Sequence, residues 1–132
     1  MVETDNINDM YKFKTPALRN VSLTAPYGHN GAYPTLKSII KHHLNPIKMN
    51  KNWKPEYANL PKATWLEEID FVTFSDKREQ DRILSSIDIQ PIELNDKEID
   101  QLVSFLESLT GRSGNQRPLG KPDKVPSGLS ID

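Results

Sequence analysis

The chain has 132 residues, of which 36% are hydrophobic and 27% charged, and it contains 10 prolines. This length and composition predict one domain with a modest core and much irregular backbone, and they exclude the large core of a big enzyme. Lys and Arg number 17 against 18 Asp and Glu, for a formal charge of -1. Such a balanced charge makes nucleic acid and anionic membrane surfaces unexpected partners.

The absence of cysteine limits the chemistry further. It excludes disulfides, thiolate metal sites, a cysteine nucleophile and covalent attachment of haem c within this chain. The first ten residues, MVETDNINDM, are polar and acidic and show no signal-peptide pattern. No apolar run approaches the ~20 residues that span a bilayer, so a soluble chain without an export leader is expected.

The predicted elements begin after a polar lead-in of residues 1–12. Residues 13–34 are rich in proline and glycine, which predicts extended backbone and turns. A helix is predicted from Thr35 to Leu44, with Thr35 as the N-cap and Pro46 ending it. One apolar stripe runs along this helix, which indicates one buried face, and it comprises Leu36, Ile39, Ile40, His43 and Leu44.

The second half of the chain has one strongly predicted helix. Residues 45–92 are mixed, with short candidate helices at Thr64–Phe71 and Lys77–Ile87. Asn95–Thr110 is predicted as a helix by a capping-box pair and by Gly111 as its stop. Its expected core face consists of Ile99, Leu102, Val103, Leu106 and Leu109. Residues 112–132, rich in Gly, Pro, Ser and Lys, are predicted to be a surface or disordered tail.

The histidines are the main candidates for chemistry, since no phosphate loop, HExxH or GxSxG motif occurs. The stripe predicts that His43 points into the packed face and His42 towards the polar side. By itself this pattern favours a core histidine at His43 over a metal ligand, although neutral imidazole is a common ligand. His29, in a Tyr-Gly-His-Asn-Gly turn, is similarly expected to fix its loop. A zinc site of all three histidines is disfavoured because adjacent helical side chains diverge.

Arg19 lies between Leu18 and Val21 in a stretch that the pattern predicts to be half-buried. A buried guanidinium requires an anion, for which a carboxylate or a haem propionate would serve. The two tryptophans, Trp53 and Trp65, are expected to be core or lid aromatics.

A family resemblance emerges from FKTPALRNVSLTAPYGHNGAYPTLKSIIKHHLNP, residues 13–46. This stretch resembles the C-terminal haem domain of bacterial di-haem cytochrome c peroxidases and their MauG-like relatives, in which F-K-x-P-x-L-R-N leads to T-x-P-Y-x-H-[DN]-G and a T-L helix. LNDKEIDQLVSFLESLTG, residues 94–111, is similar to the closing helix of that domain, and VPSGL, residues 125–129, also recurs. The resemblance implies an all-α, cytochrome c-like haem domain, present in part over residues 13–111, with long irregular loops.

The resemblance also implies roles for particular residues. His43 occupies the position of the distal axial ligand of the electron-transfer haem, which is Met in many peroxidases and Tyr in MauG. Arg19 matches an arginine near a haem propionate, and Tyr27 and His29 belong to the turn at the haem edge. Thr24 and Pro26 match positions whose backbone carbonyls help to bind a structural calcium ion, so the implied cofactors are haem c and calcium.

The sequence departs from the family in lacking the Cys-x-x-Cys-His attachment motif and the peroxidatic domain. The expected function is therefore the distal half of an electron-transfer haem domain, inactive by itself. Its expected partners are the remainder of the peroxidase or a split partner chain, and a small redox donor protein. The periplasm is implied by the family alone. Without a haem-bearing helix to cover Asn95–Thr110, we expect marginal stability or oligomerisation.

Two alternatives remain open at this point. The chain could be a haem-free binding or assembly module, in which the turn-rich segment and the VPSGL tail contact a partner. It could also hold a metal through histidine without a porphyrin. The reaction of the whole protein would be reduction of hydrogen peroxide or a MauG-like oxidation.

Overall fold

A computed structural model describes residues 6–60, 65, 69–111 and 126–127. Over these residues the secondary structure is helical, and no strand occurs apart from an isolated antiparallel bridge between Tyr27 and Tyr33. The all-α prediction is therefore confirmed for the described chain. Its helices are α1 (Leu36–Leu44), α2 (Pro46–Asn52), α3 (Val72–Ser75), α4 (Lys77–Ser85) and α5 (Asp96–Ser108). Short 3-10 turns occupy Ile7–Asp9, Val21–Leu23, His29–Gly31 and Pro55–Tyr57.

Helix α1 begins where its capping signal predicts. The Thr35 hydroxyl accepts a hydrogen bond from the Ser38 amide, and the Ser38 side chain accepts one from the Thr35 amide. Asn45 ends α1 and also caps α2, in which Pro46 occupies the first turn. Pro46 thus stops α1 as predicted, but it also opens a second helix, because a proline at the start of a helix removes no helical hydrogen bond.

Helices α1 and α5 form the central packing unit. Lys37 lies 2.6 Å from Asp100, and Lys41 lies 3.6 Å from Asp96. A later residue of α1 therefore pairs with an earlier residue of α5, so the two helices are antiparallel. The buried apolar side chains of the described residues lie in and around this unit, and they are Tyr33, Leu36, Ile40, Pro46 and Ile99.

Helix α5 is bounded by a capping box formed by Asn95 and Glu98, as predicted. Its predicted core face is only partly buried. Ile99 is 4% exposed, whereas Leu102 is 38% exposed, and Phe105, which is not part of the predicted face, is 56% exposed. Helix α1 and the 3-10 turn Val21–Leu23 are the described elements that pack against α5. Val103, Leu106 and Leu109 are therefore half-buried, whereas Leu102 and Phe105 face solvent.

The middle of the chain is built from short elements. The predicted helix Thr64–Phe71 falls mostly outside the described residues, and its described part, Trp65 and residues 69–71, is turn. The predicted helix Lys77–Ile87 is found as α4, which begins at an Asp76 cap and ends at Ser85. The predicted tail lies outside the described residues except for residues 126–127.

Long-range contacts tie the N-terminal arm and the end of α5 to the rest of the fold. The Tyr11 hydroxyl donates to the Glu79 carboxylate, and Lys12 lies 2.8 Å from Asp88. Asn20 donates its amide to the Leu109 carbonyl and accepts the Gly111 amide on its side chain. None of the helices in the described ranges is both long and apolar enough to cross a membrane.

Candidate functional site at the end of helix α1

The orientation of the two adjacent histidines is the reverse of the prediction. His43 is exposed, whereas His42 is half-buried and packs against the Tyr33 ring at a centroid distance of 4.9 Å. The Tyr33 hydroxyl oxygen lies 2.9 Å from Nδ1 of His42. The expectation that His43 points into the packed face is therefore wrong. The apolar stripe predicts the side that meets α5, but the turn before the helix covers a different side and selects His42.

This turn holds Tyr33 by its backbone. Tyr27 and Tyr33 exchange two hydrogen bonds, with N to O distances of 2.7 and 3.0 Å. Gly28 lies within the loop that they close and has a φ of +76°, and a Cβ at this position would lie 3.0 Å from the Tyr33 ring. Glycine is therefore needed there both for its backbone conformation and for space. The result is a Tyr33 side chain that is 7% exposed.

Burial determines the protonation of the Tyr33 and His42 pair. It lowers the pKa of His42, and the neighbouring His43 lowers that pKa further. Burial also raises the pKa of Tyr33. Both groups are therefore neutral near pH 7, so they are joined by a hydrogen bond between a neutral phenol and a neutral imidazole rather than by an ion pair.

His43 keeps its imidazole accessible. Its ring meets that of His42 edge-on, with centroids 5.7 Å apart, and no hydrogen bond to its side chain occurs among the residues that the structure describes. An exposed imidazole without an intramolecular hydrogen bond fits the requirement for an added metal ligand, since a nitrogen lone pair is available. Within the described ranges, no group of three or more His, Cys, Asp or Glu side chains could hold a metal ion.

Arg19 is exposed rather than half-buried, which corrects the prediction. The reason is that its neighbour Leu18 is also 48% exposed, so residues 18–19 lie on the surface instead of under a second layer. Among the described residues Arg19 forms no ion pair. Its guanidinium is therefore open to an anion supplied from elsewhere, but burial does not require one.

The turn residues have other local roles. The Tyr27 hydroxyl donates to the Val21 carbonyl at 2.9 Å, and the exposed His29 ring lies 5.1 Å from the Phe13 ring. Thr24 and Pro26 are exposed, and in the described part of the chain their backbone carbonyls accept no hydrogen bond. These carbonyls fit the chemistry of calcium, which prefers oxygen ligands.

The structure brings some of the candidate site residues into contact with one another and leaves others apart. Tyr27, Tyr33 and His42 form one connected group through the backbone bridge and the Tyr33 hydroxyl. No hydrogen bond, ion pair or ring contact joins His43 to Arg19, Tyr27 or His29 within the described residues. Sequence reasoning missed Tyr33 altogether, because a tyrosine just before a helix carries no local signal for a partner nine residues later.

Comparison with known proteins gives partial matches to one group of bacterial oxidoreductases. The chain is 37% identical over 104 residues to methylamine utilization protein MauG of Paracoccus denitrificans, covering 76% of this chain and 23% of that protein. It is 33% identical over 64 residues to the MauG of Methylophilus methylotrophus, covering 48% of this chain and 19% of that protein. It is 47% identical over 38 residues to cytochrome-c peroxidase IdrP1 of Denitromonas iodatirespirans, covering 29% of this chain and 10% of that protein.

The chain thus spans less than a quarter of each of these relatives. No protein-family model matches it, and no solved structure matches it. The sequence matches and the helical fold agree with the resemblance first seen in residues 13–46. The chain is a partial homologue of the MauG and cytochrome-c peroxidase proteins.

Proposed function

We propose that this chain forms the distal side of the electron-transfer haem site in a di-haem cytochrome c peroxidase-like oxidoreductase, with His43 as an axial ligand to iron. The observation that carries the proposal is the accessible His43 imidazole in the last turn of helix α1, within the family-like segment of residues 13–46. The 37% identity to MauG over 104 residues supports the peroxidase-like family, while the role of His43 is proposed from its position and accessibility. The chain is proposed to be inactive by itself.

The backbone at His43 is well supported for ligation. Helix α1 is attached to α5 through Lys37 and Lys41, and to the preceding turn through the hydrogen bond between Tyr33 and His42. These contacts restrict the helix before any ligand binds, so less conformational entropy is lost when the imidazole coordinates a metal. The side chain itself stays free to orient towards the iron.

Haem, when bound, supplies one-electron transfer at this site. With His43 as one axial ligand, the reduction potential of the haem iron depends on the second axial ligand. If the second axial ligand is the histidine of an attachment motif on another segment, the bis-histidine pair gives a lower potential than a histidine and methionine pair, because a thioether favours the reduced metal.

The neighbouring residues would serve the haem periphery. Arg19 is exposed and unpaired among the described residues, and its planar guanidinium suits a propionate carboxylate. Tyr27 shapes the turn by its hydrogen bond to Val21. His29, which rests against Phe13, would lie at the haem edge as part of the same turn.

A calcium ion is proposed at the backbone carbonyls of Thr24 and Pro26. Both residues are exposed, and carbonyl oxygens suit this hard cation. Two ligands are too few for a calcium site, so the other ligands would come from a different segment or from water.

The partners follow from the same proposal. A haem-bearing segment, on the rest of the protein or on a split partner chain, would complete the domain, and a small redox protein would deliver electrons in the periplasm. The substrate of the complete protein would be hydrogen peroxide, or an organic group in a MauG-like oxidation.

The open face of α5 favours a second candidate function. Leu102 and Phe105 expose apolar surface, which a haem-free binding or assembly module would use to contact a partner chain. This alternative needs no metal at His43, so a test of haem binding separates the two functions.

The deciding experiment is a titration of the purified full chain with haemin, followed in the Soret region. We expect a saturable shift of the Soret band that is lost in His43→Ala, because His43 is the one axial ligand proposed within this chain. His42→Ala is the matched control, since it removes the adjacent histidine and should keep the shift. His43→Met should bind the iron through a thioether and give a higher midpoint potential than wild type.

A spectrum that is equally strong in wild type and His43→Ala would contradict the assignment of His43. The absence of any saturable band would contradict haem binding, and the haem-free binding or assembly module would then be the preferred function. Metal analysis of the purified chain tests the remaining possibility of a histidine metal site without porphyrin, which a lack of stoichiometric metal would remove.

A further inference from the structure

A pocket of about 430 Å³ lies away from His43, between the turn at His29–Gly31, the end of α2 and helix α3. Its apolar wall includes Trp53, Phe71 and Phe74, all of them half-buried. A pocket of this volume is within the usual range for small-molecule sites.

The aromatic wall is held in place by the surrounding backbone. The Trp53 indole donates its Nε1 proton to the Ala32 carbonyl at 2.9 Å. Its ring centroid lies 5.1 Å from that of Phe74, at an angle of 67°, and 6.1 Å from that of Phe71, at 46°. Because the indole proton is already used, Trp53 can offer a ligand only its π surface and its apolar edge.

The described part of the pocket wall carries one carboxylate and the exposed imidazole of His29. Among these described lining residues, Asp70 is the only Asp, Glu, Lys or Arg side chain. It is exposed, and it forms no ion pair with any residue that the structure describes. Gln80 adds a polar group, although its amide already donates to the Thr73 carbonyl at 3.4 Å and its oxygen accepts from Asn50 at 3.5 Å.

We propose that this pocket binds a small organic cation, of the alkylated ammonium class. Aromatic faces attract such cations through the ring quadrupole, and alkylation suits an apolar wall because the cation then needs few hydrogen bonds. Asp70 supplies the balancing charge and would repel an anion. This proposal does not depend on haem and does not involve the proposed iron ligand His43, although His29, which is assigned to the haem edge, lies in the pocket wall.

The test uses the full chain carrying Trp65→Phe, so that Trp53 is the single remaining tryptophan. Trp65 is 79% exposed, and its replacement should leave the fold unchanged. Trp53 fluorescence is titrated with choline and, separately, with 3,3-dimethyl-1-butanol, its uncharged isostere, at constant ionic strength. We expect a saturable change with choline and at least tenfold weaker binding of the alcohol.

Two variants identify the groups responsible. Asp70→Asn should weaken choline binding about fivefold without affecting the alcohol, since one charged contact at an exposed site contributes modestly. Glu93→Gln removes an exposed carboxylate outside the pocket and is the matched control. Phe74→Leu keeps an apolar side chain but removes a π face, so it should weaken choline more than the alcohol.

Equal affinity for choline and the alcohol would overturn the proposal, as would the absence of a saturable response to choline. The same holds if Asp70→Asn and Glu93→Gln have equal effects. Circular dichroism shows whether Phe74→Leu folds. If Phe74→Leu does not fold, two tests of cation binding remain. One is the comparison of choline with the alcohol, and the other is Asp70→Asn, which changes only a surface group.

Discussion

The hydroxyl of Tyr33 lies 2.9 Å from Nδ1 of His42 and joins the turn before helix α1 to the last turn of that helix. Tyr33 is 7% exposed, so water cannot readily replace this hydrogen bond. The pair determines which of the two adjacent histidines packs against the protein, and it leaves His43 accessible as the candidate ligand.

Tyr33→Phe should therefore destabilise the chain by about 0.5–1.5 kcal/mol, because it removes one hydrogen bond and leaves Nδ1 of His42 without its partner. The measurement is urea unfolding followed by circular dichroism. Tyr57→Phe is the control, since Tyr57 is 50% exposed and its variant should behave like wild type. Equal effects of the two variants would show that the hydrogen bond contributes nothing.

The capping box of α5 predicts a loss of similar size. Asn95 accepts the Glu98 amide at 3.0 Å, and Glu98 accepts the Asn95 amide at 2.8 Å. Asn95→Ala should lower the free energy of unfolding by about 1 kcal/mol. Gln101→Ala, an exposed change on the same helix, should stay within about 0.5 kcal/mol of wild type. A larger effect at Gln101 would contradict this account of α5.

The two sides of α5 should differ sharply in their contribution to stability. Ile99 is 4% exposed, and Ile99→Ala should cost about 2–5 kcal/mol by removing buried surface and leaving a cavity. Phe105 is 56% exposed, and Phe105→Ala should change the unfolding free energy much less. Urea unfolding measures the change in unfolding free energy for both variants. A comparable loss at Phe105 would mean that its surface is covered in solution.

A large loss of stability in Phe105→Ala would also indicate that chains associate through α5. The described core is small, and α5 leaves Leu102 and Phe105 exposed, so we expect the free chain to be marginally stable or oligomeric. Light scattering over a dilution series, together with thermal unfolding, tests this prediction. A monomer at low concentration with a sharp cooperative transition would contradict it.

The ion pair between Lys12 and Asp88 predicts a pH effect at low pH. A hydrogen bond and the charge of Lys12 lower the pKa of Asp88 below its usual value of 3.8. A lowered carboxyl pKa means that the pair stabilises the fold above the unfolded pKa, and that this stabilisation is lost as the pH falls through the folded pKa. Both groups are well exposed, so salt should weaken the effect.

Titration of the Asp88 carboxyl by NMR measures this directly. Lys12→Met should raise the pKa of Asp88 towards its ordinary value, whereas Lys14→Met should leave it lowered, because Lys14 forms no ion pair in the described part of the chain. An unchanged Asp88 pKa in Lys12→Met would contradict the pairing.

Local sequence signals correctly predicted where the main helices begin. Thr35 and Asn95 cap α1 and α5 as predicted, because a cap is satisfied by amides only two or three residues away. Helix α4 also begins at the predicted residue, Lys77. The family resemblance of residues 13–46 was also readable without a structure, and the comparisons with MauG and cytochrome-c peroxidase agree with it.

The burial of particular side chains was decided only by the tertiary structure. The exposure of His43 and Arg19, the partnership of Tyr33 with His42, and the open side of α5 all depend on which segments lie opposite them. Helical periodicity groups residues by face, but it does not say which faces will be covered. The sequence by itself determined the helix starts and the family likeness, while the long-range packing determined which histidine stays available to a ligand.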